Sequence, residues 1–102
     1  MIQISPGDLV AVATDGRYYY ALVLDRVRLF GGNWVFVFHC SSQNILDAAD
    51  LLDGPRTGYH AFVDFIWAKR EERLSRLARK VDTKRFAGPG RLKGTHAIRG
   101  KA

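Results

Sequence analysis

Residues 7–39 read GDLVAVATDGRYYYALVLDRVRLFGGNWVFVFH, and the alternation within this stretch decides the fold. Three runs rich in β-branched and aromatic residues are separated by Asp15-Gly16 and by Gly31-Gly32-Asn33, residue types that accept positive φ in tight hairpin turns. Two hairpins in series predict a meander, with strands over about residues 8–14, 17–29 and 34–39. Pro6-Gly7-Asp8 leads into the first strand as a turn. On the second strand Tyr19, Ala21 and Val23 share one face, while Tyr18, Tyr20, Leu22 and Leu24 share the other. On the third, Trp34, Phe36 and Phe38 oppose Val35 and Val37. Both faces are therefore apolar. A sheet with one face in water alternates apolar with polar residues, so this one needs cover on both sides.

The rest of the chain is read as that cover. Residues 41–54, SSQNILDAADLLDG, offer Ser41 or Ser42 as a helix N-cap, Ile45, Ala49 and Leu52 at helical spacing, and Gly54-Pro55 as a stop, which predicts a short helix. Asp47, Asp50 and Asp53 are read as a solvated acidic face of it, because a calcium loop needs ligands at alternate positions around a glycine bend. From Tyr59 two readings stay open. Tyr59, Phe62, Val63, Ile66, Trp67, Arg70, Leu74, Leu77, Ala78 and Val81 fit one helical stripe, whereas residues 61–67, AFVDFIW, are rich in strand formers. We favour a strand or irregular lead followed by a helix over about residues 68–82, since Glu71 and Glu72 in its first turn and basic residues after them suit the helix dipole. On that helix Lys69, Arg73, Arg76 and Lys80 would form a basic stripe, with Leu74, Leu77, Ala78 and Val81 facing inward.

With 102 residues, 47% of them hydrophobic, the chain can build one core, assigned to residues 1–82. Residues 83–102, with six basic residues, four glycines and no acid, read as a flexible basic arm that carries Lys84 and Arg85. Phe86, Leu92 and Ile98 could dock it. The net charge of +6 is unevenly placed. Residues 1–68 hold four basic against seven acidic groups and residues 69–102 twelve against three, so the last third could attract phosphate or an acidic protein surface. The start, MIQISPGDLV, lacks the pattern of a signal peptide, and no apolar run approaches the roughly 18 residues of a membrane helix. A cytoplasmic protein with no membrane partner is expected, and no feature specifies an oligomeric state.

The sequence carries no recognisable catalytic pattern. His39 and Cys40 are strand neighbours and point to opposite faces, and Cys40, the one cysteine, is expected to be buried or half-buried. His60 and Asp64 would share a face if that segment is helical, and two groups do not complete a site. The glycines at 88, 90 and 94 match neither a P-loop nor a dinucleotide fingerprint. These observations argue against an enzyme and imply no cofactor or metal. What remains is surface: Tyr18, Tyr20 and Trp34 lie beside the hairpin turns, where aromatics stack on bases, cage a methylated cation or anchor a protein interface, unless they pack beneath the helices.

Gly7-Asp8 followed by Asp15-Gly16-Arg17-Tyr18-Tyr19-Tyr20-Ala21-Leu22-Val23 resembles the opening of Tudor-type SH3-like barrels. After Phe38 the chain departs from that pattern, with a serine-rich acidic segment in place of a further hairpin. The same residues are similar to the first hairpin of a family of immunity proteins from bacterial polymorphic toxin systems. Each resemblance covers about a third of the chain. The resemblance implies an SH3-like first half, and with the helices and arm read above the expected fold is α+β, a bent antiparallel SH3-like sheet of three to four strands covered by two helices and followed by the basic arm. The immunity resemblance implies neutralisation of a toxin by occlusion, with the basic stripe and arm meeting an acidic protein surface. The alternative is a nucleic-acid-binding module in which Lys69, Arg73, Arg76, Lys80, Lys84 and Arg85 contact phosphates and Tyr18, Tyr20 or Trp34 stack on bases.

Overall fold

The computed structural model describes residues 3–27, 32–54 and 57–86. Strands β1 (Leu9–Thr14), β2 (Arg17–Val27) and β3 (Gly32–Ser42) form the expected meander. The first turn has the geometry that its sequence demands, with Asp15 at φ 52° and Gly16 at φ 76°, the paired positive values of a type I′ turn. Helix α1 (Ala48–Asp53), strand β4 (Gly58–Val63), helix α2 (Ile66–Arg70), strand β5 (Leu74–Ala78) and a 3₁₀ turn (Thr83–Phe86) follow. The five strands form one antiparallel sheet in the order β4-β3-β2-β1-β5. The chain is thus α+β, and its sheet has five strands where three to four were expected, because the segment read as the second helix supplies β5. No helix among the described residues is long and apolar enough to cross a membrane.

The alternating faces bury as two clusters. Leu9, Ala11, Tyr20, Leu22, Leu24, Phe36 and Phe38 pack on one side, closed by Leu51 of α1 and Phe86 of the 3₁₀ turn. Val10, Ala21, Val23 and Val35 pack on the other, closed by Ile4 of the N-terminal lead and Phe65 just before α2. Leu9, Val10, Leu22, Val23 and Val35 are wholly buried, which is why neither side of the central strands shows polar alternation.

Three expectations need correction. The helix expected over residues 68–82 is instead the end of α2, a turn through Glu71 and Glu72, and strand β5 on the outer edge of β1. Glu72 has φ 57°, and Arg73 N–H donates to Ala68 O (2.8 Å), so the chain reverses where the helix was to begin. The helix expected from Ser41 starts only at Ala48, because both serines belong to the end of β3. Arg17 donates from Nε to Ser41 Oγ and from Nη2 to Ser41 O, both at 3.0 Å. Ser42 Oγ donates to Asn44 O (2.7 Å) and lies 2.5 Å from the Tyr20 hydroxyl. Finally, Cys40 is exposed. Its strand bulges there, with Tyr19 opposite Ser41 and Ala21 opposite Val37, so residues 38–40 of β3 face Tyr20 alone.

These contacts give Tyr20 a defined role. The hydroxyl hydrogen of Ser42 is used by Asn44 O, so Tyr20 donates to Ser42 Oγ and accepts from Leu46 N–H (3.0 Å), a one-way relay at the rim of the core. Tyr20→Phe is expected to cost about 1–2 kcal/mol, because it strands the Leu46 N–H beside a buried ring. Urea unfolding would measure this, and a loss near zero would mean that water replaces the hydroxyl.

Candidate functional site

The structure divides the expected site residues among different surroundings. Tyr20 is 1% exposed, so its ring has no open face for a ligand. Trp34 is half-buried between β2 and β4, its ring stacked on His60 (centroids 5.9 Å, 11°) and edge-on to Phe62 (6.1 Å). His60 Nε2 donates to Phe86 O (2.7 Å), tying β4 to the 3₁₀ turn rather than forming a unit with Asp64, whose Oδ1 accepts Ile66 N–H (3.0 Å). Tyr18 is half-buried against the first cluster and borders a shallow cleft of about 260 Å³ beside the β1–β2 turn, together with Arg17, Gln43 and Arg73.

The basic residues do not form one stripe. Lys69 lies on α2, and Arg73, in the turn, pairs with Glu71 (2.9 Å). Arg76 sits on β5, where Nη1 donates to Gln3 O (2.8 Å) and reaches Asp8 Oδ2 (3.4 Å). Lys80 follows β5, and Lys84 and Arg85 stand exposed on the 3₁₀ turn that inserts Phe86 into the core. The remainder of the expected arm, with Leu92 and Ile98, lies outside the described residues. Arg76 and Lys80 do come together, joined by Arg79, on one wall of a cleft of about 530 Å³; Gln3, Ser5, Pro6 and Asp8 form the other wall.

A second surface was not anticipated. On the side closed by Ile4 and Phe65, the cover given by the described residues stops short of the end nearest the β1–β2 turn. Strand register sets Leu74, Val12, Tyr19 and Ser41 in one row across β5, β1, β2 and β3, and Val10, Ala21, Val37 and Tyr59 in the next. Val12, Val37 and Leu74 are only partly buried, Tyr19 is 41% exposed and Tyr59 52% exposed, with the His39 ring 5.5 Å from that of Tyr59. Tyr19 sits between two tyrosines that point to the other face. The strand alternation was readable, but the extent of the cover over its face was not.

Comparison with protein-family models, with curated proteins and with solved structures returns no match to this chain.

Proposed function

We propose that the chain is a non-catalytic protein-binding module on an SH3-like sheet, and that it acts as an immunity-type protein that neutralises a toxin by occluding it. The SH3-like part of the reading draws support from the strand order, in which β5 returns to pair with β1 after two serial hairpins and β4. The binding part rests on one observation, the end of the sheet that the described residues leave uncovered, which carries Tyr19 and Tyr59 over partly buried Val12 and Val37. Rigid aromatics on a strand scaffold, surrounded by aliphatic surface, are the usual anchors of a protein interface. The basic cleft and Arg17 would then meet an acidic partner and speed its arrival.

The double variant Tyr19→Ala/Tyr59→Ala tests this. Affinity for the toxin should fall about 100-fold or more, since two anchors each contribute on the order of 2 kcal/mol, while stability changes by less than about 1 kcal/mol. The measurement is co-purification of tagged wild type and variant from the host, with and without nuclease, followed by growth rescue. The bound protein, expressed alone, should arrest growth, and co-expression of the wild type but not of the variant should restore it. Bound material that disappears with nuclease would instead favour the second reading, a nucleic-acid-binding module. That reading draws on the positions of Arg73, Arg76, Arg79 and Lys80 along one sheet edge.

A further inference from the structure

We infer that the cleft between the N-terminal lead and the end of β5 is an oxyanion site that takes a phosphate monoester dianion. Three cations, Arg76, Arg79 and Lys80, face one carboxylate, that of Asp8, which is buried and already engaged by Arg76. The Arg76 guanidinium is held in place before any ligand arrives. Both of its described bonds leave from Nη1, so its other N–H groups remain for a tetrahedral anion. With one positive charge offset by Asp8, the two that remain match a dianion better than a carboxylate of charge −1.

The backbone adds a second, independent observation. Lys80 is held at φ 55°, in the left-handed region that non-glycine residues enter at a cost. It is clamped there by Gly7, whose O accepts Val81 N–H (2.9 Å) and whose own position would bring a Cβ within 3.2 Å of Lys80 Cα. Positive charge along an edge strand also discourages strand pairing. That role needs neither a concave wall nor a lysine where glycine fits better.

The test is an amide NMR titration of the full chain at fixed ionic strength with inorganic phosphate and, as control, acetate. Phosphate should shift the Gly7, Asp8, Lys80 and Val81 amides saturably at 1:1, and acetate should not; no saturable shift, or equal shifts with acetate, overturns the site. Lys80→Gly should keep or raise the denaturation midpoint while weakening phosphate binding about tenfold, the loss of one charge-assisted contact. A lower midpoint or unchanged binding overturns the role given to Lys80. Arg79→Gln, at an exposed position, should weaken phosphate by a similar factor with no change in midpoint, and unchanged affinity there overturns the site as drawn. Two further ligands identify the source of the phosphate. A nucleoside 5′-monophosphate that outcompetes a 5′-phosphorylated oligonucleotide indicates a free small molecule, and the reverse order indicates a nucleic-acid end. Equal binding of the oligonucleotide without its 5′-phosphate overturns the monoester assignment. Loss of toxin binding in the Tyr19/Tyr59 variant leaves all of these outcomes unaffected, so this site and the protein-binding reading fail separately.

Discussion

Replacing Gly58 with alanine is expected to lower the unfolding free energy by about 2–4 kcal/mol. Gly58 opens β4 opposite Phe38, and a Cβ there would lie 2.2 Å from Val37 O and 2.7 Å from Phe36 Cζ. Neither neighbour can yield easily. The carbonyl belongs to β3, the strand on which β4 pairs, and the Phe36 ring is fixed by Phe38 (5.1 Å), Phe86 (5.3 Å) and His60 (5.4 Å). Relief therefore requires β4 to move away from β3, at the cost of its ladder and of the His60–Phe86 tie. Denaturant unfolding measures the loss, and hydrogen exchange locates it. Amides of β4 should lose protection before those of β1 and β2, which are paired on both sides. A loss below about 1 kcal/mol would mean that the Gly58 backbone tilts enough to seat a methyl group, and that the close approach is not a constraint.

How much of this fold can be read from the sequence depends on where local and long-range preferences agree. They agree over the meander. Asp15-Gly16 specifies its own turn, and Tyr20, Leu22 and Leu24 against Ala21 and Val23 announce a strand buried on both sides. They conflict over residues 74–81. Leu74, Leu77, Ala78 and Val81 have the spacing of an inward helical face, yet β5 produces the same pattern by a different route. The pairing with β1 shifts register, with Leu9 opposite Ala78 but Val10 opposite Arg76, so Leu77 is an extra residue. The bulge lets Leu77 and Ala78 both pack on the first cluster while Leu74 packs on the second. One sequence clue pointed the other way: Leu9, Val10 and Ala11 are apolar in succession, and a strand buried on both faces needs a partner at each edge. The serines misled for a related reason. Ser41 and Ser42 are good N-caps, but Arg17 and Tyr20 claim them from the neighbouring strand, a contact across more than twenty residues.

The candidate surfaces were legible as residue types and not as places. The basic residues expected on one helical stripe are divided by the turn at Glu71 and Glu72, and Arg79 joins Arg76 and Lys80 only because β5 ends beside the N-terminal lead. The aromatic face left open by the described residues depends on Phe65 and Ile4 covering Val10, Val23 and Val35 and stopping before Val12 and Tyr19. Propensity carries no information about where such cover ends, because that is set by loop length and by which edge each helix follows.

Asp8→Asn is expected to move stability and anion affinity in opposite directions. The Asp8 side chain is 5% exposed; its Oδ2 accepts Ser5 N–H (3.0 Å) and lies 3.4 Å from Arg76 Nη1, while its backbone O accepts Val23 N–H (2.9 Å). The residue therefore fastens the N-terminal lead to β5 by its side chain and to β2 by its backbone. Asparagine can keep the bond from Ser5 but offers no charge to the guanidinium. Removing one member of a fully buried ion pair costs 3–5 kcal/mol, but the Arg76 side chain is 21% exposed and keeps Gln3 O, so a loss of about 1–3 kcal/mol is expected. At the same time a negative charge leaves the wall of the cleft and Arg76 is released toward it. Phosphate should then bind at least roughly three- to tenfold more tightly, because removing one negative charge about 6 Å from a mono- or dianion is worth about 0.7–1.4 kcal/mol even with solvent-like screening. A cleft with only a structural role would lose the stability and gain no affinity. Urea unfolding and the phosphate titration, run on the same variant, separate the two: weaker folding together with tighter phosphate binding marks the cleft as a ligand site held in check by Asp8, and weaker folding with unchanged binding marks Asp8 and Arg76 as a fastening alone.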